Sequence, residues 1–140
     1  MAVKNINPYL FFNGTASDAI TFYVQAIEAK IVRIQRFSDA PGGEMPPGVS
    51  PNAVMHAHLE TGGGTLMISD AVIGPPIELG DGVVVCLQYE GRADIDRHFA
   101  ALAEGGKATE PLQDTFWGAR FGMLTDKFGI RWMFNATLSE

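Results

Sequence analysis

The feature that most constrains this chain is a repeat within it. When the second half is laid on the first at one constant offset, Gly91 falls on Gly14, Phe99 on Phe22 and Lys107 on Lys30. Self-similarity of this kind means that one supersecondary unit is made twice and that the copies complete each other's core. The unit itself can be read from periodicity. Residues 6–12 are an apolar strand with Pro8 at an edge or bulge. Asn13 and Gly14 stop it, and residues 15–29 form a helix with a cap candidate at Thr15 or Ser17 and Ala19, Ile20, Phe22, Tyr23, Ala26 and Ile27 at helical spacing. Residues 30–37 alternate with β-branched content, and strands at 54–60 and 65–69 are joined by a glycine-rich turn at 61–64.

The second half gives a strand at 83–89, a helix at 91–104, a strand at 107–112 and a closing hairpin. In that hairpin, runs at 116–124 and 130–134 flank Asp126, Lys127 and Gly129, the residue types a tight turn needs. Alternation puts Trp132 and Phe134 on one face and Arg131, Met133 and Asn135 on the other, so the sheet covers a helix on one side and a cavity on the other. The expected fold is α+β: two βαβββ modules, 1–72 and 73–140, forming one curved mixed sheet around a cleft with helices outside. Residues 71–81, with Pro75 and Pro76, are the linker.

Composition narrows the partners. The 140 residues are 46% hydrophobic, enough for a core, and a net charge of −6 opposes attraction to phosphate backbones and anionic lipid. No nucleic acid and no membrane partner is expected, and with no run of 18 apolar residues and no signal-like N-terminus the expected location is cytoplasmic. The single cysteine, Cys86, lies in VVVCLQY and reads as a buried structural thiol. The connection at 38–52 carries four prolines and three glycines and reads as a lid or rim, with Met45, Pro46 and Pro47 closing over the cleft or packing on a second subunit. The glycines at 62–64 lack the GxGxxG pattern and precede no helix, which argues against a Rossmann-type nucleotide or S-adenosylmethionine cradle.

The doubled βαβββ order resembles the vicinal oxygen chelate superfamily of glyoxalase I, extradiol dioxygenases and fosfomycin and bleomycin resistance proteins. PYLFFNG, Phe22 with Tyr23, EMP at 44–46, HA at 56–57, SDA at 69–71 and TFWGARFGMLTDKFGIRWMFN are similar to the PhnB-like branch, whose members are often labelled demethylubiquinone methyltransferases. The resemblance covers nearly the whole chain and implies a homodimer. It also implies four metal ligands, one from each of four strands, at positions that fall here on Pro8, Met67, Val84 and Met133. Proline and valine carry no donor and thioethers suit soft ions, so no cofactor is expected, with a divalent metal as the alternative.

His56, His58 and Glu60 recur with period two and share a strand face, which makes them the alternative metal set or the polar side of a half-exposed strand. His98, beside Arg97 on the second helix, reads as a surface residue. The stretch 113–120 concentrates Gln113, Asp114, Trp117 and Arg120, where Arg120 either orients an acidic ligand or pairs with Asp114 or Asp126. Asp70 is a cleft carboxylate or a turn and cap residue, and Trp117 and Trp132 are core, interface or ligand platforms. The leading expectation is a small-molecule binding protein whose ligand meets His56, Met67, Asp70, Gln113, Trp117 and Arg120. One alternative is a metal-dependent lyase or dioxygenase using His56, His58 and Glu60, and another is a dimeric interaction protein with a filled cleft.

Overall fold

A computed structural model describes residues 2–39 and 47–138. It divides into two compact units, Met1–Glu78 and Leu79–Glu140. The first carries β1 (Tyr9–Phe12), α1 (Ala16–Ile27), β2 (Lys30–Arg36), a short 3-10 turn (Phe37–Asp39), β3 (Val54–Thr61) and β4 (Gly64–Asp70). The second carries β5 (Val85–Glu90), α2 (Ile95–Ala103), β6 (Lys107–Asp114), β7 (Ala119–Thr125) and β8 (Arg131–Thr137). The βαβββ order is thus made twice. Among the described residues strand pairing stays within each unit, giving two four-stranded sheets, β1-β4-β3-β2 and β5-β8-β7-β6, where the sequence suggested one. In each sheet the first and last strands of the unit run parallel and the others antiparallel.

Burial explains the pairing. On α1, Ala16, Ala19, Ile20, Tyr23, Ala26 and Ile27 are buried, against a sheet face that supplies Leu10, Phe12, Ala57, Leu59, Leu66 and Ile68. Phe12 and Tyr23 meet with ring centroids 6.5 Å apart, which fixes that face as the helix side. Each large aliphatic or aromatic side chain so buried contributes about 1.5–3 kcal/mol. On α2, Ile95, His98, Phe99 and Leu102 are buried at i, i+3, i+4 and i+7. Beneath them lie Trp132 and Phe134, both fully buried, and the Phe99 and Phe134 rings meet edge-on at 5.0 Å.

The turns follow their residues. Gly62 takes φ +57 in the two-residue turn between Thr61 and Gly64. In the closing hairpin, Asp126 accepts Gly129 N–H on its carbonyl at 2.9 Å, and its N–H donates to Ile130 O at 2.8 Å. The terminal strands β2 and β6 both slip register, β2 between Ile31/Arg33 and Gln35/Arg36 and β6 between Ala108/Glu110 and Glu110/Gln113.

Four local expectations are corrected. Phe116 and Trp117 lie in the turn before β7 and not in a strand, and stand 96% and 63% exposed. Cys86 is exposed, because the alternation of β5 turns Val85, Leu87 and Tyr89 inward and Cys86 outward. His98 is buried and not on the surface, since its helix position repeats the apolar spacing of Ile95 and Leu102. The helix expected at 91–104 is Ile95–Ala103. The expected lid residues Met45 and Pro46 lie outside the described residues.

Candidate functional site

Each sheet has a face turned from its helix. In the first unit, register places Tyr9 opposite Met67, and Met67 opposite His58, which in turn stands opposite Arg33. These four span the helix-distal face in one row across all four strands. His56, opposite Gln35, and Glu60, opposite Lys30, share the face by alternation. The Tyr9 hydroxyl and His56 Nδ1 share a hydrogen bond of 2.9 Å. Tyr9 stacks on Phe11 with centroids 4.7 Å apart and planes inclined by 5°, and both rings are partly open to solvent. His58 Nε2 is buried and has no hydrogen-bond partner among the described residues. Arg33 is exposed and makes no ion pair with them.

The residues singled out from sequence therefore separate. His56 and Met67 lie together on this face, with His58 and Glu60 beside them. The three ligand atoms of His56, His58 and Glu60 do not all come within 4.8 Å of one another, so the strand offers no converged three-ligand set. Asp70 points to the helix side, where its Oδ1 accepts Gly14 N–H at 3.0 Å and Ala16 N–H at 2.9 Å, and its Oδ2 accepts Val54 N–H at 2.8 Å. It ties the start of α1 and the start of β3 to the end of β4, the cap role.

In the second unit Gln113 stands opposite Phe121, and Phe121 opposite Asn135, on the helix-distal face. Asn135 Nδ2 donates to Gln88 Oε1 at 3.2 Å there. Arg120 occupies the other face. Its Nε donates to Asp96 Oδ1 on α2 at 2.7 Å and its Nη1 to Asp114 Oδ1 at 2.9 Å. The hydrogen bond donated to Asp96, and next the one to Asp114, raises the Arg120 guanidinium above its ordinary value. Arg92 closes on Asp114 with two bonds of 3.0 and 2.6 Å, and these, followed by the Arg120 bond, hold the Asp114 carboxyl down at about 2. Asp126, the other partner considered for Arg120, accepts instead from Phe128 N–H, Ile130 N–H and the indole N–H of Trp132. A shallow depression of about 530 Å³ is lined by Leu79, Gly80, Asp81, Thr125, Gly129 and Arg131, and none of the predicted site residues borders it.

Comparison with known proteins now decides the family. The family model described as 3-demethylubiquinone-9 3-methyltransferase matches residues 4–134. The chain belongs to this PhnB-like family. The crystal structure of PA1353 from Pseudomonas aeruginosa is 38% identical, with a TM-score of 0.85 over 98% of this chain and 100% of that one. The PhnB protein from Bacillus cereus is 28% identical, with a TM-score of 0.79 over 95% and 99% of the two chains. The fosfomycin resistance protein FosX from Listeria monocytogenes, 12% identical with a TM-score of 0.66 over 97% and 93%, shares the fold alone, that of the glyoxalase, bleomycin resistance and dioxygenase proteins.

The positions that the resemblance marks for metal ligands hold Pro8, Met67, Val84 and Met133. Pro8 precedes β1 and gives only its carbonyl, to Met67 N–H at 3.0 Å, so the β1 residue opposite Met67 is Tyr9. Val84 precedes β5, and the β5 residue opposite Met133 is Cys86. A phenol, two thioethers and a thiol do not suit a hard divalent ion, which takes carboxylate or imidazole ligands. Sequence reasoning missed Arg33 and Tyr9: the alternation of 30–37 put Arg33 on a face with Ile31 and Gln35, and only the β2–β3 register sets it opposite His58.

Proposed function

We propose that this PhnB-like protein binds a small organic acid on the helix-distal face of its first module, without the divalent metal associated with its fold. The observation that carries the reading is the buried, unpartnered His58 Nε2. A buried polar atom left unpaired costs about 1–3 kcal/mol, which a bound acceptor or donor recovers. The face adds what such a ligand needs. Tyr9, Phe11 and Met67 give an apolar wall, the Tyr9–His56 pair a fixed polar edge, and Arg33 a free planar fork that matches a carboxylate. Arg33 takes the part that sequence reasoning gave to Arg120, which Asp96 and Asp114 hold on the other face. Gln113 and Trp117 stay outside this reading, and Asp70 supports it only through the fold. A homodimer belongs to the proposal through the superfamily resemblance, and a cytoplasmic location through the lack of a signal-like or long apolar segment in the sequence.

Methyl transfer is not favoured. The turn at 62–64 leads into β4 and not into a helix, so it offers no helix N-terminus to a nucleotide-like cofactor.

The test is a calorimetric screen of small aromatic and aliphatic carboxylates. An acid bound with a dissociation constant below about 1 mM should lose tenfold or more in affinity (about 1.4 kcal/mol) in Arg33→Ala and in His58→Ala. Arg120→Ala should leave that affinity unchanged. Equal binding by all variants, or loss in Arg120→Ala alone, would reject the site.

A further inference from the structure

We propose that the second module carries a binding site for a soft monovalent metal ion of the Cu(I) type, built by Cys86, Met133 and Met123. The three residues form one row. Cys86 stands opposite Met133 in the parallel β5–β8 pair, and Met133 opposite Met123 in the antiparallel β7–β8 pair. They share the helix-distal face, because the helix-side neighbours in register are Leu124, Trp132 and Phe134, all buried. Cys86 is exposed and both methionines are half-buried, so an ion arriving from solvent meets a thiol at the rim and thioethers behind it.

Spacing and chemistry agree. Side chains directly opposite in the antiparallel Met133–Met123 pair start about 4.5–5.5 Å apart at Cβ, the parallel strands carrying Cys86 and Met133 lie about 4.8 Å apart, and metal–thiolate bonds of about 2.3 Å let one ion bridge such neighbours. Met123, with three rotatable bonds, reaches inward from the third strand. The adjoining rows hold Thr125 and Arg131 on one side and Phe121, Asn135 and Gln88 on the other. Neither adjoining row brings an imidazole or carboxylate, and on β6 Glu110 stands opposite Met123 at the end of the row away from Cys86, so a hard ion finds a single carboxylate here while a soft one finds three sulfurs.

This site uses residues of the second unit only and stands or falls independently of the acid-binding reading. Anaerobic titration of the full chain with Cu(I) against a chromophoric competitor should show one equivalent bound. Cys86→Ser, Met133→Leu and Met123→Leu should each weaken binding tenfold or more, and X-ray absorption should show a sulfur-only shell. Cu(I) affinity unchanged in both methionine variants would reduce the site to a bare thiol and overturn the proposal. A nitrogen or oxygen shell, or no Cu(I) held against the competitor, would overturn it as well.

Discussion

Asp70 and Asp126 are both nearly fully buried and each accepts three N–H groups, two of them backbone amides in Asp126 and all three in Asp70. Such carboxylates act as fasteners, since their removal strands several buried donors at once. Asp70→Ala should therefore lower stability by about 3 kcal/mol, read as a fall in the urea midpoint with an unchanged slope. A loss below about 0.5 kcal/mol, the range of ordinary surface substitutions, would show that water satisfies the three amides. Both roles were partly legible: a cap or turn residue was one reading of Asp70, and a turn was the reading of Asp126. The choice for Arg120 was not legible, because its first partner, Asp96, is 24 residues away on α2 and only the packing of that helix brings them together. His98 shows a signal that was present and passed over. It sits three residues after Ile95 and four before Leu102, so the apolar stripe of α2 already placed it inward, where Tyr89 OH meets its Nδ1 at 2.7 Å.

At the level of elements, the order of strands and helices was legible because every unit announces itself by period and punctuation. Boundaries were less so: Phe116 and Trp117 have strand-forming side chains, yet Gly118, at φ +85, and the Thr115–Ala119 hydrogen bonds make them a turn. The close approach of α2's exit to the β7–β8 hairpin is the most exacting junction. A Cβ on Gly106 would sit 2.2 Å from Thr125 O and 2.8 Å from Asp126 C, both backbone atoms that cannot move aside without shifting the hairpin. Gly106→Ala should cost about 3 kcal/mol by overpacking, whereas Gly63→Ala, where a Cβ meets open space, should be near neutral in the same thermal melts. Similar melting temperatures for the two variants would mean that the junction yields. The pairing of strands into two separate sheets was not legible, since periodicity reports faces and not partners.

For the molecule as a whole, charge separates two responses to acid. With a net charge of −6 at neutrality and an isoelectric point near 4.9, mild acid removes the repulsion between copies before it touches the fold. The fold responds lower. Asp114 falls from its ordinary 3.8 to about 2 in the native state through Arg92 and Arg120, so its contribution is complete above pH 3.8 and is lost as pH falls through about 2. The decline of melting temperature over that window should be shallower in Asp114→Asn than in the parent, and parallel curves would show the cluster to be without weight. The slipped registers of β2 and β6 reach beyond the native state. Both are terminal strands in their sheets, broken by bulges, and β6 also carries Pro111, which has no N–H to offer. An incoming strand would find no continuous ladder on either, so fibril growth by templating has poor footholds at these two edges even where the net charge vanishes.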